Sequence, residues 1–185
     1  MDPPTLILVR HAQALGQDDR APLSAAGVAA AAELATEIAG HPFDVLVSSP
    51  MRRAFETSQA ISAASGVPIR IDGRLVERTL TAEPRPDWRE VLRASFEDGE
   101  RRFFDGETGE EARRRALHAI SDLVRQGFTR PVLVTHGNLI ALILQHFRPE
   151  IGFDAWERLR TPDALSIRPV PSGWAVERIW RPGEA

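Results

Sequence analysis

The 185-residue sequence contains no cysteine, which removes disulfides, thiolate metal sites and a cysteine nucleophile from consideration. It has no run approaching the roughly 20 apolar residues that a membrane-spanning helix requires. The opening "MDPPT" lacks the basic segment of a secretory leader, and the short apolar run behind it stops at Arg10. A charge excess is missing too. With 23 basic and 26 acidic side chains the net charge is −3, which gives no global signature of a nucleic-acid or membrane-surface binder. Repeats, low-complexity tracts and linkers are also lacking. What these absences leave is an expectation of a cytoplasmic globular protein, with no nucleic acid and no membrane as partner. The length suits one domain over residues 1–185, and a hydrophobic content of 43% is enough for a sizeable core.

What is present is an alternation. "TLILVR" reads as a strand buried on both faces. "PLSAAGVAAAAELATEIAG" reads as a helix capped by Ser24 and closed by Gly40. A second apolar strand, "FDVLVSS", leads into the helix "PMRRAFETSQAISAASG", with Pro50 in its first turn and Gly66 at its end. "VPIRID" is a short third strand. Residues 78–108 differ, being charged and proline-containing at "TAEPRPD", with Trp88, Phe96, Phe103 and Phe104 spaced as packing residues of one or two helices. "GEEARRRALHAISDLVRQG" is an amphipathic helix with Ala112, Ala116, Leu117, Ile120 and Leu123 as its apolar stripe. The strand "RPVLVTH", the helix "NLIALILQHF" and a terminal antiparallel pair turning at Pro171-Ser172-Gly173 complete the chain. The expected fold is α/β, a three-layer αβα sandwich with a mostly parallel central sheet and a helical insertion over the active site.

Three strands end on the same kinds of group. The first delivers Arg10 and His11, the second Arg52 and Arg53, and "PVLVTH" delivers His136 and Gly137. Ligands of open α/β sheets bind beyond the carboxyl ends of the strands. Two arginines in the first turn of a helix oppose its dipole unless an anion sits there. His41, His118 and His146 accompany no such pattern.

The segments "LVRHA", "SSPMRRAFET", "LVE" and "VTHGN" resemble, in order and spacing, the four signatures of the histidine phosphatase superfamily, the phosphoglycerate-mutase-like fold. "GETGEEARRRA" is similar to a further segment of that family, so the likeness covers most of the chain. The resemblance implies that Arg10, His11, Arg53 and His136 form a phosphate pocket and that Glu77 is a proton donor. Two positions depart from the family pattern. Ala12 stands where a glycine is usual, and Gln17 where some members carry a phosphate-contacting asparagine. Gln17 and Arg20 are therefore left outside the expected site.

The chemistry of such a set is coherent. Arg10 and Arg53 can bind a dianionic phosphate monoester through charge-assisted, bidentate bonds. His11, when neutral, can attack phosphorus, and His136 can donate to the transferring group, protonated once phosphate is bound. Arginines supply the positive charge, so neither metal nor cofactor is expected. Glu77 would protonate the leaving alkoxide and then activate water. The expected activity is a metal-independent phosphatase acting on a small phosphorylated metabolite through a phosphohistidine. The alternatives are a phosphoglycerate mutase, which the short chain disfavours, a protein phosphohistidine phosphatase, and a non-catalytic phosphate-binding module. Oligomeric state is not readable from the sequence.

Overall fold

Alternate residues of the central strands are buried against different layers, as a two-sided sheet requires. In a computed structural model, which describes residues 4–81, 83 and 85–180, the strands are β1 (Leu6–Arg10), β2 (Val45–Ser48), β3 (Ile69–Ile71), β4 (Pro131–Thr135), β5 (Asp163–Val170) and β6 (Gly173–Arg178). They form one sheet in the order β3-β2-β4-β1-β5-β6. The β3-β2, β2-β4 and β4-β1 pairings are parallel, and β5 runs antiparallel to both β1 and β6.

Ile7, Val9, Leu46, Val132 and Val134 face one layer, made by α1 (Ala25–Gly40) and α2 (Arg52–Ser65). Leu6, Leu8, Val45, Val47 and Leu133 face the other. That layer holds α3 (Trp88–Glu97), α4 (Gly109–Arg125), α5 (Gly137–Phe147) and Phe153 of α6 (Phe153–Arg158). The expected three-layer architecture is therefore what forms. Among the described residues, no helix is long and apolar enough to cross a membrane.

Local details follow local chemistry. Ser24 caps α1, its side chain accepting the Gly27 amide at 3.0 Å. Gly40 was expected to close that helix from outside, but it is the last helical residue. The chain leaves the helix at His41, which precedes Pro42 and is steered to extended backbone. Pro50 lies before the cap of α2 and not within its first turn. The Ser49 hydroxyl accepts the Met51 amide at 3.3 Å, so the turn closes there and the helix begins at Arg52. Gly66 ends α2 with a φ of 75°, a conformation in which a side chain would be strained.

The segment 78–108 contains a single helix, α3, and its aromatic residues divide. Phe96 is buried, whereas Trp88 and Phe104 are 45% and 55% exposed. Phe104 instead carries the Arg85 guanidinium 3.9 Å above its ring. The expectation that these aromatics are packing residues holds for Phe96, holds in part for Trp88, whose ring meets Trp156 edge to face at 5.8 Å, and fails for Phe104. Ala82 and Pro84 of "TAEPRPD", like the first three residues, lie outside the described residues. The short helix α6 was not anticipated, because six residues are too few to show a helical period.

Candidate active site

Sheet register brings the expected residues together. Arg10 pairs with Thr135 across β1 and β4, and the His11 amide continues the ladder onto the Thr135 carbonyl at 3.0 Å. The Ser49 amide does the same from β2, onto the Val134 carbonyl at 2.9 Å. His11, Ser49 and His136 thus emerge side by side at the carboxyl ends of three adjacent strands. The rings of His11 and His136 stand edge to face, 5.0 Å apart.

His11 has a defined tautomer. Its Nδ1 lies 2.7 Å from the Ala12 carbonyl, which can only accept, so the proton is on Nδ1. The lone pair is then on Nε2, which receives a hydrogen bond from Arg53 Nε at 3.1 Å. Burial, with the Arg53 and Arg10 charges acting the same way, lowers the His11 pKa to about 4 against the raising effect of the Ala12 carbonyl. The imidazole is neutral at neutral pH. Ala12 itself is fully buried, donates its amide to Thr57 Oγ1 at 3.0 Å, and packs its methyl group with Leu23 and Ala31. The methyl has a place in the core, which is why a side chain is accommodated after His11.

The two arginines of α2 part ways. Arg53 is 3% exposed and donates through Nη1 to the main-chain carbonyls of Gln17 and Asp18, at 3.1 and 2.9 Å. Arg52 turns outward to Glu56, at 2.7 Å. The helix does not offer its first amide to a ligand, because the Arg52 N–H donates to the Asp19 carbonyl at 2.8 Å. Carbonyl oxygens of the 17–19 loop, together with His11, offset the clash between Arg53 and the helix dipole. Gln17 contributes its backbone carbonyl, a role invisible in its side-chain type. Arg20 is exposed and its backbone is tied to Asp18.

Arg10 is fixed from the far side of the sheet. Its Nη1 donates to the Leu159 carbonyl at 2.9 Å, and the buried Asp163, paired with Arg178 at 2.9 Å, supports its charge. Gly137 begins α5 so close to this guanidinium that a Cβ there would lie 3.0 Å from Arg10 Cζ. Leu159 left no signal in the sequence, since its contribution is a main-chain oxygen.

His136 accepts or shares a hydrogen bond with Ser49 Oγ at 2.9 Å through Nε2. Burial first, then His11 and the arginines Arg53, Arg115 and Arg10, hold its pKa well below the ordinary histidine value. Its Nδ1 is buried without a partner, as is Arg10 Nε. Buried donors lacking an acceptor are costly in a protein interior. An oxyanion between Arg10 and His136 would supply both acceptors. Asn138 Oδ1 is a third buried atom without a partner.

Glu77 lies at the amino end of α5. Its Oε1 accepts the amides of Arg78 and Leu139 at 2.9 and 3.1 Å, and Oε2 accepts that of Asn138 at 3.0 Å. Burial raises its pKa, against those three amides and the Arg10 charge. The fold thus gathers Arg10, His11, Arg53, Glu77 and His136 into one charged pocket. His118 and His146 are exposed elsewhere, and His41 pairs with Glu37 on the surface.

Comparison with known proteins agrees with this arrangement. The sequence matches the histidine phosphatase superfamily (branch 1) over residues 6–178. It is 30% identical to a protein named probable phosphoglycerate mutase GpmB of Escherichia coli O1:K1, covering 92% of this chain and 89% of that protein. Among solved structures, a mycobacterial glucosyl-3-phosphoglycerate phosphatase superposes with a TM-score of 0.74 at 22% identity, covering 95% of this chain and 97% of that one. A phosphoserine phosphatase variant from Entamoeba histolytica, in complex with phosphoserine, also gives a TM-score of 0.74 at 22% identity, over 95% and 96% of the two chains.

Proposed function

Because the chain belongs to the histidine phosphatase superfamily (branch 1), we propose that it is a metal-independent phosphatase that hydrolyses a small phosphorylated metabolite through a phosphohistidine on His11. The observation that carries this reading is the His11 geometry. A neutral imidazole with its proton fixed on Nδ1 leaves the Nε2 lone pair beside a buried arginine. Arg53 and Arg10 bind the phosphoryl oxygens, and His136, whose Nδ1 has no other partner, donates to another from that atom when the Ser49 hydroxyl donates to its Nε2. Nε2 then attacks phosphorus, the N–P bond forms, and the ester P–O bond breaks.

Glu77 serves the leaving oxygen. Oε1 already accepts two amides and Oε2 only one, which makes Oε2 the oxygen to carry the proton. Burial keeps that proton on more readily than in water. After the alcohol departs, the carboxylate takes a proton from water, which attacks phosphorus and releases phosphate and neutral His11. A mutase reading, favoured by the name of the Escherichia coli relative, would return the phosphoryl group to a second hydroxyl. Interconversion of phosphoglycerate isomers without loss of phosphate would support it.

The test is Glu77→Gln assayed with alkyl and p-nitrophenyl phosphates. A nitrophenolate leaves without a proton and an alkoxide does not, so phosphorylation should suffer about a hundredfold or more with the alkyl ester only. The variant should release a nitrophenol burst of about one equivalent and then turn over slowly, with an acid-labile label on His11. Dialysis of the wild-type enzyme against a chelator should leave its rate unchanged. Equal slowing of both esters without a burst, or a label elsewhere, would refute the assignment.

A further inference from the structure

The backbone on either side of Glu77 is gripped by side chains from α3, α4 and the segment between them. Arg115, on α4, donates through Nη1 to the carbonyls of Arg74 and Val76, at 2.6 and 2.8 Å. Its Nε and Nη2 meet both oxygens of Glu107, at 2.7 and 2.9 Å. Glu107 also works through its main chain. Its amide donates to the Thr79 carbonyl at 2.7 Å, and its carbonyl accepts Arg78 Nε at 2.9 Å. Arg78, only 4% exposed, donates through Nη1 to Ser95 Oγ of α3 at 2.7 Å, while its own amide holds Glu77 Oε1. The carbonyl of Leu75, between the two that Arg115 holds, accepts the Thr135 hydroxyl at 2.7 Å. The carbonyls of residues 74, 75, 76 and 79 are therefore all bound from outside the segment.

This is more restraint than a surface turn receives. Hydrogen bonds from guanidinium groups to carbonyls are charge-assisted and stronger than neutral ones. Arg78 is buried against a hydroxyl and a carbonyl, with Nη2 lacking any partner. An arginine in that setting is costly to bury, since among the described residues no carboxylate forms an ion pair with its guanidinium and Glu107, Glu77 and Glu111 act on it only through space. A general acid must sit within hydrogen-bond reach of the oxygen it protonates, and errors of about an ångström cost large factors in rate.

We propose that Arg115, Glu107 and Arg78 form a clamp that positions Glu77 for leaving-group protonation, and that this clamp ties the acid to α3. The three are positioning residues, acting through Glu77 and not on the phosphoryl group. The inference deepens the phosphatase reading and rests on Glu77 being the acid. The anion-binding side has its own hydrogen bonds, to Leu159, Ser49 and the 17–19 loop, and the clamp reaches it only through the Arg115 charge on His136 and the Thr135–Leu75 bond.

The experiment compares kcat/KM for an alkyl phosphate and p-nitrophenyl phosphate in Arg115→Met, Arg115→Lys and Glu107→Gln, with Glu77→Gln alongside. Competitive inhibition by vanadate is measured in each. Arg115→Met should lose about tenfold or more with the alkyl ester and less than about threefold with the aryl ester. Vanadate inhibition should change by less than about threefold, since Arg115 reaches the anion site only through its charge on His136, and Arg115→Lys, which keeps that charge, should recover part of the alkyl activity. If Arg115→Met does not fold, Glu107→Gln, which keeps every main-chain bond, must show the same selective loss. Equal loss with both esters, or vanadate inhibition weakened beyond that limit, would overturn the clamp if Glu77→Gln itself remains alkyl-selective. If Glu77→Gln is not selective, the acid assignment falls first and the clamp falls with it.

Discussion

Arg10, His11, Ser49 and His136 each prolong or directly follow a buried strand, whereas residues 78–107 depart after Glu77 and close back beside it through the Arg78–Glu107 bond. The first group inherits its geometry from backbone register. The second contains one helix of ten residues and is fastened by side chains. Arg89 and Arg93 of that helix reach Glu157 on α6, Arg93 lies 4.1 Å over the Phe153 ring, and Arg102 pairs with Glu111. Exposed ion pairs contribute little to stability. The insertion can therefore change its surface while the sheet, and the anion site with it, stays intact. The anion side is held by strand register and the insertion by side chains, and on the proposed function the insertion is where substrate choice can vary.

The sharpest test of that division cuts into the anion side. Arg53→Ala should weaken competitive inhibition by phosphate and vanadate about a hundredfold, since it removes a buried charge-assisted contact of roughly 2–3 kcal/mol. Arg52→Ala, which removes only an outward pair with Glu56, should change it by less than about twofold. Similar effects from both would erase the distinction between the inner and the outer arginine.

A smaller effect should appear in the pH profile of kcat/KM, after correction for the ionisation of the substrate. Only neutral His11 attacks, so the rate should fall as pH drops below about 4, where the ring gains a proton. Only protonated Glu77 donates, and its pKa is raised. Alkyl ester hydrolysis should accordingly fall as pH rises through that pKa. Each limb should approach about tenfold per pH unit. With p-nitrophenyl phosphate the limb due to Glu77 should disappear and the acid limb remain. A limb due to Glu77 that persists with the aryl ester would contradict the separation of roles.

The mildest changes belong to the insertion. Trp88→Ala and Phe104→Ala remove half-exposed rings that meet Trp156 and Arg85 and should lower stability by about 0.5–1 kcal/mol. They should shift the preference between bulky and small phosphate esters by about two- to fivefold, with inhibition by phosphate unaltered. A changed phosphate inhibition constant would show that the insertion reaches the head group after all.

The same boundary separates what could be read in the sequence from what could not. Apolar runs ending in Arg10-His11 and in His136 announced both the strands and their ligand-facing ends, because strand burial and side-chain type are local properties. Ser24 was legible for the same reason. The choice of Arg53 over Arg52 came from the family likeness, and the structure shows Arg53 turned inward beside His11 and Arg52 outward. The amide cradle of Glu77 was not legible, since its donors are backbone groups some 60 residues away, at Asn138 and Leu139. Leu159 and Gln17 contribute carbonyls that any residue would possess. Ser49 was visible within "SSP" but gave no sign that its hydroxyl would meet His136. The exposure of Trp88 and Phe104 was misjudged, because aromatic spacing alone does not say whether a neighbouring surface exists to cover the rings.

The strand order carries a consequence for how the protein comes into being. β4 lies between β2 and β1, so the first strand made waits for Pro131–Thr135 before it gains its parallel neighbour. Its other neighbour, β5, is made later still. Contacts so distant in sequence demand closure of long loops and form late. A chain ending before β4 already contains the groups that tie His11 and the 17–19 loop to α2, but it lacks His136 and the amides that hold Glu77. The pocket is complete only when β4 takes its place between β2 and β1 and brings His136 and the amides of α5 beside them.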